Sequence, residues 1–107
     1  MNLDIISFAK AIADTTRQQI MKGLCCEWLS INDLAARIGV SQPTISHHCS
    51  VLTEAGLLDK RREGKQVFCS LNQERVTYCC GMLIQNFAPQ EAEQLIGLSG
   101  IQAPATG

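Results

Sequence analysis

A mainly helical fold carrying one small β-hairpin is what this sequence predicts, on three observations. Apolar residues recur at helical spacing through the first half of the chain. The spacing then changes to alternation over residues 57–71, interrupted at Glu63-Gly64. Helical spacing returns from Asn72 to Phe87. Within the helical half, two short helices meet at Gly39-Val40-Ser41, which makes the arrangement a winged helix-turn-helix.

Each element has a local cause. Ile5, Phe8, Ala9 and Ile12 share one face of a first helix over residues 3–12. Asp14 caps a second helix carrying Ile20, Met21 and Leu24, which frays near Cys25–Trp28. Leu29 to Ile31 is apolar enough for a minimal strand. Ser30-Ile31-Asn32-Asp33 has the form of a capping box with Asp at its fourth position, opening a third helix through Leu34, Ala35 and Ile38. Gly39 ends it. Ser41 caps a fourth helix, with Pro43 in the first turn where no amide donor is needed. Ile45, His48, Cys49 and Leu52 form its inward face, and Gly56 closes it. Strands are expected over Leu57–Arg62 and Lys65–Leu71, with Leu29 near Leu71. Asn72 caps a fifth helix running to Phe87, stopped by Pro89. A last short helix is expected over residues 90–97.

Composition narrows the function classes. At 107 residues there is room for one domain. No apolar run reaches the length of a membrane span, and the N-terminus has no basic leader, so the expectation is a cytoplasmic protein with no membrane partner. Six cysteines would suit a secreted disulfide scaffold only with an export signal and a loop-rich chain, so free thiols are expected. The net charge of −1 argues mildly against a nucleic-acid partner. Setting aside Glu91 and Glu93 in the tail, however, leaves 9 basic against 8 acidic residues. Lys60, Arg61, Arg62 and Lys65 crowd one stretch with only Glu63 against them, and phosphate meets local charge.

The fourth helix starts Ser41-Gln42-Pro43-Thr44, then Ser46 and His47. These small or polar side chains suit base edges and phosphates in a major groove. A hairpin tipped by Lys60, Arg61, Arg62 and Lys65 directly after it suits the flanking backbone. The expected partner is double-stranded DNA.

Three stretches, FAKAIADTTRQQIM (8–21), LSINDLAARIGVSQPTISHHCSVLTEAGLL (29–58) and RREGKQVFCSL (61–71), resemble the ArsR/SmtB family of winged-helix repressors, in the family's order across most of residues 5–87. The resemblance implies a homodimer formed through the first and last long helices, with Ile5, Phe8, Ile12, Met82, Leu83 and Phe87 as interface candidates. It also implies repression of metal, metalloid or sulfur-stress operons, relieved by an effector. Residues 1–98 would then be the DNA-binding and dimerisation domain, with 99–107 a disordered tail.

The departures from the family concern the effector. Many members carry a Cys-Val-Cys-type box where this chain has Ser30-Ile31-Asn32, so that site is absent. Thr15 replaces a proline. Cys49 stands where leucine is usual and Cys69 where an aromatic is common; both suit a small apolar core position. Neighbouring residues on a helix point about 100° apart, so one vicinal pair in a regular helix chelates poorly. Two pairs, Cys25-Cys26 and Cys79-Cys80, are expected to converge within one subunit, with Cys79 and Cys80 on the order of 10 Å along the fifth helix. Three or four thiolates there would select As(III) or Sb(III) first, or Zn(II), Cd(II) or Cu(I). The alternative is that one cysteine of each pair packs and the other is incidental. His47 and His48 make poor co-ligands; His48 is expected to face inward with a hydrogen bond, and Trp28 to be a partly buried packing residue.

Three rivals remain. The same fold with its thiols as redox or persulfide sensors is the first. A protein-interaction winged helix that has lost DNA binding is the second; the polar helix face and basic hairpin oppose it. A thiol enzyme is the third. It needs a low-pKa Cys beside a base or a Cys-x-x-Cys motif, and neither is present, so no enzyme activity and no cofactor for DNA binding are expected.

Overall fold

The computed structural model describes residues 5–94. The element order is α1 (Ile5–Ile12), α2 (Thr15–Gly23), β1 (Leu29–Ser30), α3 (Ile31–Ile38), α4 (Gln42–Glu54), β2 (Leu58–Glu63), β3 (Gln66–Leu71) and α5 (Gln73–Phe87), followed by a 3₁₀ turn, Pro89–Glu91. The order and fold class match the winged helix-turn-helix expectation. The short helix expected over 90–97 begins as that turn and one helical step; residues 95–107, which include the tail, lie outside the described residues.

Local capping chemistry sets the helix starts. Asp14, Ser30, Ser41 and Asn72 each accept a backbone amide three residues on, at Arg17, Asp33, Thr44 and Arg75. The Arg17 amide at 2.9 Å, more than any other contact, holds the Asp14 carboxyl below its usual range. Gly39 closes α3 at φ 80, a left-handed conformation that costs an L side chain about 1 kcal/mol.

The sheet has the order β1-β3-β2, antiparallel throughout. Here one expectation is corrected. Leu29 lies opposite Cys69 and Ser30 opposite Phe68; Leu71 pairs instead with Leu58. The Leu71 amide is already taken by the Leu24 carbonyl at 2.9 Å, just before β1. The short strand therefore pairs with β3 two residues nearer the hairpin turn.

The core lies between α1, α2, α3, the inward face of α4, and the sheet. Ile20, Leu24, Leu34, Ile45, Leu52 and Leu57 are fully buried, and each contributes about 1.5–3 kcal/mol through lost apolar hydration. Cys49, Cys69 and Cys79 join them as small apolar groups. Phe8 is corrected as well: at 3% exposure it packs in its own subunit's core with Ala11, three residues on, and is not on the outer face of α1. The exposed large apolar residue of that helix is Ile6, at 60%. No helix among the described residues is long and apolar enough to cross a membrane.

Candidate nucleic-acid interface

Burial on one side of α4 decides what the other side offers. Ile45, Cys49 and Leu52 recur at three- and four-residue intervals and face the core. Ser41, Gln42, Thr44, Ser46 and His47 are left exposed. They are not equally available. The Ser41 hydroxyl accepts the Thr44 amide and donates to Thr44 Oγ1 at 2.9 Å. Ser41 is thus occupied in holding the helix start, while the Thr44 hydroxyl keeps its own proton for an outside acceptor.

His48 is half-buried and points inward, where its Nδ1 lies 3.0 Å from the Arg17 guanidinium. Arg17 was not singled out from sequence. Its Nε donates to the Ala11 carbonyl at 2.6 Å and another guanidinium nitrogen to Lys10 at 3.2 Å. One side chain thereby ties the end of α1, the start of α2 and the middle of α4 together. Its only sequence signal is its place three residues after the Asp14 cap.

The wing is the β2–β3 hairpin, turned at Gly64 with φ 64. Lys60, Arg61, Arg62 and Lys65 are all exposed on it. Strand alternation divides them. Arg61 lies over the Trp28 ring, 4.6 Å from its centroid, and pairs with Glu63 at 3.0 Å. Lys60, Arg62 and Lys65 make no ion pair among the described residues. Trp28, 36% exposed, is therefore a stacking platform for a wing arginine and not simply packing.

The cysteines do not gather as expected. Among the described residues no three His, Cys, Asp or Glu side chains lie close enough to hold a metal ion. Cys79 turns into the core, and burial pushes its thiol up. Cys80, the next residue on α5, is exposed. Cys25 and Cys26 are exposed beyond the end of α2, with their sulfurs 3.0 Å apart. The helix has ended there, so the 100° divergence expected of helical neighbours does not apply. Its hydrogen bond with Cys25 holds the Cys26 proton and raises that thiol above its usual range. Cys49 is raised too, by its hydrogen bond with Cys69 and by burial.

Large apolar side chains left exposed on the outer helices are Ile6 on α1 and Tyr78 and Phe87 on α5, with Phe87 77% exposed. Ile5, Ile12, Met82 and Leu83 are half-buried beside them.

Similarity to known proteins agrees with this geometry. Residues 14–60 match the family model for bacterial regulatory proteins of the arsR family. A biofilm growth-associated repressor of Agrobacterium fabrum is 33% identical over 89 residues, spanning 82% of this chain and 76% of that protein. The chain belongs to the ArsR family. An arsenical resistance operon repressor of Staphylococcus xylosus is 32% identical over 75 residues, 70% of this chain and 72% of the relative. Among solved structures, the homodimeric winged helix-turn-helix DNA-binding domain of a possible ArsR-family regulator from Mycobacterium bovis superposes with a TM-score of 0.65. It is 24% identical and covers 80% of this chain and 79% of that one, which speaks for the fold. This ArsR-family chain is thus a winged helix-turn-helix transcriptional repressor, and its relatives are regulators and not enzymes.

Proposed function

We propose that this chain represses transcription as a homodimer on a double-stranded DNA operator, and that a thiol-binding effector releases it. One observation carries the DNA-binding half. The exposed face of α4, from Ser41 to His47, is followed in the chain by a wing whose exposed Lys60, Arg62 and Lys65 make no ion pair among the described residues. The Mycobacterium bovis neighbour is a homodimer, and Ile6, Tyr78 and Phe87 give this chain an apolar outer surface on the helices that would pair. Phe8 takes no part in that surface.

The effector is a thiophilic species, with As(III) or Sb(III) the leading ions and Zn(II) or Cd(II) behind them. Exposed Cys25, Cys26 and Cys80 are the thiols a solute reaches, and the Staphylococcus xylosus relative is named for arsenical resistance. Three thiolates would require Cys80 to approach Cys25 and Cys26 or to be supplied by a partner subunit. A redox reading of the same thiols is favoured by the 3.0 Å sulfur separation of Cys25 and Cys26.

The test is operator binding by the reduced dimer. Replacing Gln42, Thr44 and His47 with Ala should relax sequence preference more than it weakens nonspecific binding. As(III) should release the wild type, and a Cys25→Ser, Cys26→Ser variant should remain bound. Release by peroxide or polysulfide alone selects the redox reading. Release by none of these removes the effector from the proposal.

A further inference from the structure

The last turn of α1 leaves carbonyls without helical partners, and α2 supplies donors for them. Gln18 Nε2 donates to the Ile12 carbonyl at 2.8 Å. Arg17 takes the two before it, with Nε on Ala11 at 2.6 Å and a terminal nitrogen on Lys10 at 3.2 Å. Its other terminal nitrogen lies 3.0 Å from His48 Nδ1 on α4. A guanidinium has five N–H donors, no acceptor and no neutral form in proteins, so the His48 end of this contact must accept. Nδ1 therefore carries no proton, and the imidazole is neutral with its hydrogen on Nε2. Ile45 and Leu52 hold the same face of α4 by burial, which has no direction of its own. The Arg17–His48 bond is directional. His48 directly follows His47 and lies one helical turn beyond Thr44, both exposed on the face assigned to DNA. The α1 helix carries Ile6, on the surface assigned to a second subunit. One guanidinium thus bridges the two.

We infer that Arg17 is a positioning residue for operator binding, which sets α4 against α1 through neutral His48, and that a proton on His48 undoes this setting and lowers affinity. The inference rests on the operator binding proposed above, and adds which contact holds α4 in place for it. Base-reading side chains have to be held within about 0.5 Å of their productive positions. A proton on Nδ1 would turn one N–H towards another and set two cations 3.0 Å apart. The charged surroundings of His48 are mixed. On α2, Arg17 opposes its protonation, while the Asp14 carboxylate, bonded to the Arg17 amide at 2.9 Å, is close enough to favour it. On α1, Lys10 gives its carbonyl to Arg17. On α4, the exposed His47 ring lies 5.7 Å away between centroids. From α3 and β2, Arg37, Arg61 and Asp59 are engaged by Glu27, Glu63 and Asn72, and no bond or ion pair among the described residues joins Asp33, Lys60 or Arg62 to the ring. His47 gives the opposite sign, since a proton there adds a cation to the face that meets phosphate and strengthens binding.

The probe is a labelled duplex selected from a random-sequence pool by the full wild-type chain at about pH 7.5, with affinity read by anisotropy at fixed salt. On acidification to about pH 5.5, across the range in which histidines charge, wild-type affinity should fall about tenfold. His48→Leu, which lacks the acceptor, should bind about tenfold more weakly than wild type at the higher pH. His48→Asn places an amide oxygen where Nδ1 stood and does not titrate, so it should recover most of that loss and show no fall on acidification. Arg17→Lys keeps the charge without the planar fork, and should bind weakly with a shallow fall. The two His48 variants carry the test if Arg17→Lys fails to fold. His47→Asn should bind more weakly yet keep the whole fall. Wild-type affinity that rises or stays level on acidification, a fall that survives in His48→Asn, or a His48→Asn as weak as His48→Leu overturns the inference. Nitrogen NMR of the free chain reads the contact without DNA: at about pH 7.5 His48 should carry its proton on Nε2, and a proton on Nδ1 instead also overturns it. If that tautomer is found and no duplex is selected, the proposed function fails and the Arg17–His48 contact stands.

Discussion

Removing Arg62 should change how operator binding responds to salt more than how it responds to sequence. Arg62 is exposed on β2, paired across the hairpin with Val67 and unengaged by any carboxylate among the described residues. Its neighbour Arg61 is committed to Glu63 and Trp28. Each phosphate contact contributes about 0.9 to the slope of log affinity against log salt, so the proposed homodimer, with one Arg62 contact per subunit, would lose about 1.8. Between about 50 and 200 mM salt, Arg62→Ala should therefore shed about 12-fold less affinity than wild type. Arg61→Ala should alter the slope less, because Glu63 already offsets its charge. Fluorescence anisotropy of labelled operator, titrated at several salt concentrations, measures both slopes. Parallel lines for wild type, Arg62→Ala and Lys65→Ala would show that the wing touches no phosphate, and the assignment of residues 60–65 to the backbone would be wrong.

Other perturbations probe the frame that holds the interface. Arg17→Met keeps the aliphatic stem but strips the hydrogen bonds to Ala11, Lys10 and His48; discounted for partial exposure, the loss is about 2 kcal/mol, or roughly 8–16 °C in melting temperature by calorimetry. Leu52→Ala, at a fully buried position on the inner face of α4, should cost about 2–5 kcal/mol in urea unfolding while leaving the exposed face chemically unchanged. Phe87→Glu places a charge on the 77% exposed end of α5 and should shift the proposed homodimer towards monomer in sedimentation analysis, without lowering monomer stability. For Asp14, whose folded carboxyl titrates below its unfolded value of 3.8, the stabilisation is present above that value and disappears as pH falls through the folded one. An Asp14→Asn variant should therefore show a flatter acid limb in a pH-dependent unfolding series.

What could be read from sequence was what is decided locally. Asp14, Ser30, Ser41 and Asn72 cap their helices through contacts three residues away, and such contacts are visible in a linear string. The same holds for Gly39 and the hairpin at Gly64. Which face of α4 is exposed followed from its inward face, again a local periodicity. The β1 register was misplaced because a two-residue strand carries no alternation to set it; the Leu71–Leu24 bond, 47 positions apart in the chain, decides it. Phe8 was assigned outward because a short helix packed on two sides has apolar residues on both, and spacing alone does not say which side meets its own core. The cysteine pairs failed to converge for a similar reason. Where α2 stops turning determines where Cys25 and Cys26 point, and the rotation of α5 sends Cys79 inward and Cys80 out. Trp28 on Arg61 joins residues 33 positions apart and left no trace in either neighbourhood.

The two residues of β1 give the hairpin the mechanics of a cantilever. Leu29 and Ser30 clamp β3 at Cys69 and Phe68, and among the described residues no other strand joins the hairpin. From Leu71 back to the turn is about 20 Å of strand. A tilt of a few degrees at the clamp sweeps the tip through about an ångström, enough to spoil a hydrogen bond there. Force applied at the root would thus be felt chiefly at Arg62 and Lys65.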